Sequence, residues 1–288
     1  MQCKVVTRSW IEQIIRDFLD YPNNNSLRGR FKEKAWDTPL VGFSRGGDSL
    51  YQKLKEDIGQ FYWTPIEIFS KTFPNSQPAP DELTIIAWIL PQTEATKFDN
   101  RKESVYISER WARSRVFGEE TNDNLRRHVV TKLQEAGYEA VAPVASPFWE
   151  QKISAKYGFA STWSERHAAY VSGLGTFGLS DGLITPKGKA MRCGSAVARI
   201  RIPAKRRPYK DHHEYCLFHT KKICGRCIAR CPAGAITKEG HDKLKCQNYL
   251  TKMNEYVKTH FGFEGYGCGL CQTGVPCESK IPTPSDLK

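Results

Sequence analysis

Ile11, Ile14, Ile15 and Phe18 recur at helical spacing behind Ser9-Trp-Ile-Glu12, which reads as a capping box. A helix is therefore predicted from about Trp10 to Leu19. Tyr21 to Ser26 is rich in Pro and Asn and predicts a loop. Pro39 to Phe43 suits a short strand, and Ser49 to Ile58 a helix. Leu83-Thr-Ile-Ile-Ala-Trp-Ile-Leu90 is almost unbroken apolar sequence, as in a strand buried on both faces beneath covering helices. Leu125, Val129, Val130 and Leu133 share one face of a helix predicted over Glu119 to Ala136, with Gly137 as its stop. Glu139 to Val144 suits a further strand. Helices and strands mixed in this way predict an α/β domain over residues 1–202.

Pro203 and Arg206-Arg207-Pro208 mark a boundary. Beyond it, in residues 203–288, apolar runs shorten and cysteines dominate. So small a module with few large apolar side chains would fold weakly alone, and a bound metal group would supply the missing stability.

The chain has 288 residues, 40% hydrophobic and 26% charged, which is ordinary for a globular protein. Its longest apolar run, Leu83 to Leu90, falls far short of the roughly 20 residues that span a bilayer. The N-terminus shows no apolar signal segment, so no membrane partner and a cytoplasmic location are expected. In that compartment a dense group of cysteines binds metal more often than it forms disulfides.

The formal net charge is +12. Eight cluster-bound thiolates would bring it nearer to about +8. A basic surface suits an acidic partner such as a ferredoxin, a flavodoxin or an RNA. The densest basic stretch, Arg199, Arg201, Lys205, Arg206, Arg207 and Lys210, reads equally as a solvated linker. Tyr209 is the only aromatic residue there, too few for base stacking on single-stranded RNA.

Eight of the ten cysteines lie between residues 216 and 277. Cys224-Gly-Arg-Cys227-Ile-Ala-Arg-Cys231-Pro232 has the spacing and the Cys-Pro step of a bacterial ferredoxin. In that arrangement closely spaced cysteines wrap one cubane and the last crosses to another. Crossed ligand sets for two 4Fe–4S clusters follow. Cys216, Cys224, Cys227 and Cys277 would hold one, and Cys231, Cys246, Cys268 and Cys271 the other. Zinc is the competing metal: Cys224/Cys227 with Cys268/Cys271 would make a four-cysteine site but leave the other four unused. Cys3 and Cys193 read as small buried hydrophobes.

Gly173-Leu-Gly175-Thr-Phe-Gly178 matches G-x-G-x-x-G. The segment before it reads as a helix rather than a strand, which argues against a dinucleotide site. The glycines would instead let backbone approach a flat ligand, or shape a turn.

Glu165-Arg, the glycine segment, the Cys-Pro motif, Cys246-x-x-Tyr-Leu-Thr and Gly-Cys268-x-x-Cys271-Gln together resemble epoxyqueuosine reductases and, more widely, reductive dehalogenases. The resemblance is specific over residues 160 to 277 and general before them. It implies a cobalamin, with Gly173, Leu174, Gly175, Thr176, Phe177, Gly178 and Leu179 beside it, and two 4Fe–4S clusters relaying electrons to cobalt. The family's catalytic Asp lies six residues before Glu-Arg, where this chain has Phe159. Seven residues separate Cys216 from Cys224 and five separate Cys271 from Cys277, both longer than the family's usual spacing. Only eleven residues follow Cys277, short of the C-terminal part the reductase uses around tRNA. These departures point to a paralogue acting on another small-molecule substrate, and make tRNA a lesser expectation. Tyr170, Asp181 and His167 flank the glycine segment; Tyr170 and Asp181 are the candidate proton donors. A non-catalytic ferredoxin-type carrier is the alternative reading.

Overall fold

The computed structural model describes residues 5–287. Cys3 lies outside the described residues. The helices are α1 Arg8–Asp20, α2 Ser49–Ile58, α3 Pro65–Thr72, α4 Glu94–Lys102, α5 Glu109–Glu135, α6 Glu165–Val171, α7 Leu217–Lys221, α8 Arg226–Ala229 and α9 Lys243–Phe261. The strands are β1 Leu40–Arg45, β2 Leu83–Pro91, β3 Ala140–Val141, β4 Gln151–Ser154, β5 Gly158–Ser161, β6 Thr176–Phe177, β7 Leu183–Ile184 and β8 Met191–Arg199.

β1, β2, β8 and β3 form one sheet in that order, antiparallel throughout. Every position of β2 is buried because its alternating side chains feed two cores. Ile85, Ala87 and Ile89 join residues of α2, α3 and α6 on one face. Ile86, Trp88 and Leu90 join α1 and α5 on the other. Each fully buried aliphatic side chain contributes roughly 1.5–3 kcal/mol, so the central strand anchors the domain.

The helix boundaries differ from the sequence reading in instructive ways. α1 is capped by Thr7, whose Oγ1 accepts from the Trp10 N–H at 3.2 Å, and Ser9 lies in the first turn instead. α5 begins at Glu109, ten residues before its expected start, with Ser108 as cap. Gly118 sits inside it because a Cβ there would stand 2.8 Å from the Trp36 ring, whose indole N–H donates to the Gly118 carbonyl at 2.8 Å. The expected strand over Glu139 to Val144 shrinks to β3, since Pro143 opens a short 3-10 turn.

The cysteine-rich part packs directly on α5. Trp111 and Ala112 of α5 share a core with Ala190, Met253 and Val257 of α9, and Leu270. Arg230, from the ferredoxin-like motif, donates to the carbonyls of Glu103 (2.8 Å), Asn100 (3.2 Å) and Thr273 (2.9 Å). Within the basic stretch Arg199, Arg201 and Arg207 face Glu82 or Asp48, while Lys205, Arg206 and Lys210 are exposed. Among the described residues no helix is long and apolar enough to cross a membrane.

Candidate active site

The eight clustered cysteines reach two places. Cys216 precedes α7, Cys224 and Cys227 lie at and in α8, and Cys277 arrives from the C-terminal tail; these four line one apolar cavity with Leu179, Ile184 and Val275. Cys231, Cys246 on α9, Cys268 and Cys271 line a different and larger cleft of about 780 Å³. That volume is within the range of small-molecule and cofactor pockets.

The electrostatics sort the thiols the same way. Burial pushes Cys277 up to about 11, with Cys227, Cys216 and Cys224 as its repelling neighbours. Burial pushes Cys268 up to about 12, with Cys271, Cys246 and Cys231 adding to it. Thiols so crowded and desolvated stay protonated unless a metal supplies positive charge. An all-sulfur donor set suits a thiophilic iron cluster. Among the described residues no three His, Cys, Asp or Glu side chains converge as ligands of a single ion.

Lys189 touches both places. It is 3% exposed, lines both the cavity and the cleft, and donates from Nζ to Ser180 Oγ at 3.0 Å. Burial acts to lower its pKa, but Cys277, Cys271, Cys227 and Cys216 outweigh it and hold the pKa above the ordinary lysine value. Nothing in the sequence marks this lysine among its neighbours.

A charged network forms another wall of the cleft. Arg126, 3% exposed along its side chain, donates to Glu165 (3.0 Å), Glu119 (3.2 Å) and Asp123 (2.5 Å). Glu119 also faces Arg115 at 3.3 Å and Arg192 at 3.5 Å, so one carboxylate serves three guanidiniums. Burial raises the Glu165 pKa despite Arg126 and the Ser195 hydroxyl. Trp149, Trp163, Met191 and Cys193 supply apolar lining, and burial pushes the Cys193 thiol up to about 12.

The glycine segment has a different neighbourhood. Gly173 takes φ 83 at the end of α6, and a Cβ on Gly175 would stand 2.3 Å from the Ile184 carbonyl. The close backbone approach is thus to β7 of the protein itself. Thr176 and Phe177 form β6, and Leu174 and Phe177 pack in the core. Gly178 and Leu179 reach the first cysteine cavity, while the large cleft is lined by their successors Ser180, Gly182 and Leu183.

Tyr170 is buried against Tyr209, His212 and Phe177 and is not among the cleft-lining residues. His167 packs beside Phe177, and burial lowers its pKa to about 3. Asp181 adopts a left-handed backbone (φ 54) and places its carboxylate 3.2 Å from Nδ1 of His241, which does line the cleft. That contact, followed by a hydrogen bond with Cys246, raises the His241 pKa to about 9. Phe159 lies 43% exposed on the β4–β5 hairpin, outside the cleft lining.

No family model and no curated protein matches the chain. Among solved structures, a catabolic reductive dehalogenase in complex with 3-bromo-4-hydroxybenzoic acid aligns over 97% of this chain and 38% of its own, at 13% identity and a TM-score of 0.52. A second reductive dehalogenase, described with a mechanism for B12-dependent dehalogenation, aligns over 86% and 31%, at 13% identity and a TM-score of 0.50. The chain shares the fold of the aligned third or so of these dehalogenases. An epoxyqueuosine reductase from Bacillus subtilis is also a structural neighbour, with 18% identity over 96% of this chain and 70% of its own, at a TM-score of 0.43. The Arg126–Glu165 and Glu119–Arg192 contacts and the place of Lys189 are features that the motifs did not reveal, because their partners come from distant segments.

Proposed function

We propose that this protein is a cytoplasmic reductase that takes single electrons from a ferredoxin or flavodoxin, relays them through two 4Fe–4S clusters, and delivers them to a small organic substrate. The reading rests above all on one arrangement: one cysteine quartet opens onto a cleft of about 780 Å³, and the other lines a separate cavity that shares Lys189. Cys216, Cys224, Cys227 and Cys277 would hold the first cluster, and Cys231, Cys246, Cys268 and Cys271 the second. The cleft would be the place for a cobalamin, which when bound would supply low-valent cobalt as the reductant.

The chain's own residues divide the remaining work. Exposed Lys221, Lys222 and Arg226 beside Cys224 suit an acidic electron donor. Trp149 and Trp163 keep one side of the cleft dry. Among the described residues Arg192 pairs with one carboxylate, Glu119 at 3.5 Å, so further N–H donors stay available to a polar group of substrate or cofactor. His241 holds a proton at neutral pH at the cleft edge, and Asp181 acts through it. Tyr170 shapes the aromatic core behind the glycine segment. The net charge of +12 favours a second reading in which the substrate is carried on RNA.

Purification without oxygen, iron and sulfide analysis, and titration with hydroxocobalamin test the proposal. About eight irons per chain and a saturable change in the visible spectrum are expected. Eight irons without cobalamin binding would favour a ferredoxin-type carrier. About four irons in fully loaded protein would overturn the ligand assignment. Binding of tRNA with a steep salt dependence would favour the RNA reading.

A further inference from the structure

Among the described residues, Lys189 is a buried cation without a carboxylate partner. Its side chain is 3% exposed, and Nζ donates to the neutral Ser180 hydroxyl at 3.0 Å. Its backbone N–H donates to the Cys277 carbonyl at 2.9 Å, and Ala190 donates to the Glu278 carbonyl at 3.2 Å, so the residue is clamped against the C-terminal ligand segment. Among the described residues it forms no ion pair with Asp or Glu. Lysine is almost never fully buried unless its charge is compensated. Groups able to carry negative charge line the same two spaces as Lys189: Cys277, Cys227 and Cys216 in the cavity and Cys271 in the cleft.

We propose that Lys189 is a positioning residue for electron transfer: a fixed cation shared by the two cysteine quartets that raises the reduction potential of both clusters. The inference rests on the two-cluster reading of the site. Reduction adds one negative charge to a cluster whose ligands are already anionic. A cation in the low-dielectric wall stabilises that added charge and leaves the oxidised form less favoured. The backbone of Lys189 is clamped to Cys277, a ligand of the first quartet, so the first cluster feels it more. The same charge weakens the repulsion between two reduced clusters, allowing both to hold an electron at once. The contacts of Lys189 depend on Gly188, whose φ of 79 turns the chain into β8.

The test compares wild-type protein with Lys189→Arg, Lys189→Gln and Lys189→Met, all purified without oxygen. Iron and sulfide are counted first, and the potentials are then read by redox titration followed by electron paramagnetic resonance. The expected result is eight irons in each, Arg near wild type, and a negative shift of both potentials in Gln and Met, larger for the first cluster. Loss of iron in Gln and Met but not in Arg also supports the proposal, because Gln keeps a hydrogen-bond donor and Met an unbranched chain, and what both lack is the charge. Equal potentials in all four fully loaded proteins would overturn it, as would loss of iron in Arg, which would assign the position to packing. Wild-type protein that binds no clusters would overturn the two-cluster reading and this inference with it.

Discussion

Gly188 lies against the backbone of Glu278 so closely that a Cβ would stand 2.0 Å from the Glu278 carbonyl oxygen. Next to this contact, Lys189 donates to Cys277. The tight turn from Thr185 to Gly188, closed by hydrogen bonds of 2.8 and 3.1 Å, therefore docks the tail that carries the last cysteine. Gly188→Ala adds both the clash and a side chain at φ 79. Cys277 should be displaced, and iron should fall from about eight to about four per chain. Unchanged iron in the folded variant would show that the tail docks by other means.

Paired cysteine substitutions test how the ligands are shared. Cys216→Ser with Cys277→Ser should leave about four irons, because both remove ligands of one cluster. Cys216→Ser with Cys268→Ser should remove nearly all of them. Cys193→Ser should leave the iron count unchanged, since that thiol packs against Met191 with Sγ to Sδ at 3.5 Å. The reverse pattern in the two double variants would redraw the ligand sets.

Trp88 and Asn122 tie the sheet to α5. The buried indole N–H donates to Asn122 Oδ1 at 2.9 Å, and the Asn122 amide donates to the Cys193 carbonyl at 2.9 Å. Asn122→Ala strands the indole donor in the core. A loss of about 2 kcal/mol is expected, measured by denaturant unfolding. A loss indistinguishable from zero would mean that water replaces the amide.

Glu67 gives a pH-dependent contribution. Burial acts to raise its pKa, but hydrogen bonds from Lys55 and from the Thr64 N–H (2.8 Å) and hydroxyl (3.0 Å) hold it below the ordinary 4.5. A carboxylate with a depressed folded-state pKa stabilises the fold above 4.5, and that contribution disappears as pH falls through the folded value. Glu67→Gln should therefore cost on the order of 1 kcal/mol at neutral pH and nothing in strong acid. Thermal unfolding of both proteins across the acid range checks this; a gap independent of pH would assign the loss to packing.

Much of the frame was legible along the chain. The run Leu83 to Leu90 predicted a strand buried on both faces, and β2 feeds one core with Ile85, Ala87 and Ile89 and the other with Ile86, Trp88 and Leu90. Side-chain alternation is a local property, so periodicity reports it. α5 was only half legible, since Gly118 interrupts its pattern for the sake of Trp36, a residue from a distant loop.

The same division runs through the site. By itself the sequence determined that eight cysteines gather between residues 216 and 277, and that Cys224, Cys227 and Cys231 share one turn-rich segment with ferredoxin-like spacing, because neighbours in the chain must be neighbours in space. Tertiary structure alone decided that Arg192 meets Glu119 across the cleft wall, while it brings Cys277 to the cavity of Cys216, where the crossed ligand sets expected it. It also set Lys189 between the quartets and turned the glycine segment toward Ile184 instead of the open cleft. These partners are joined by the folding of separate segments onto one another, and no local spacing encodes such a meeting.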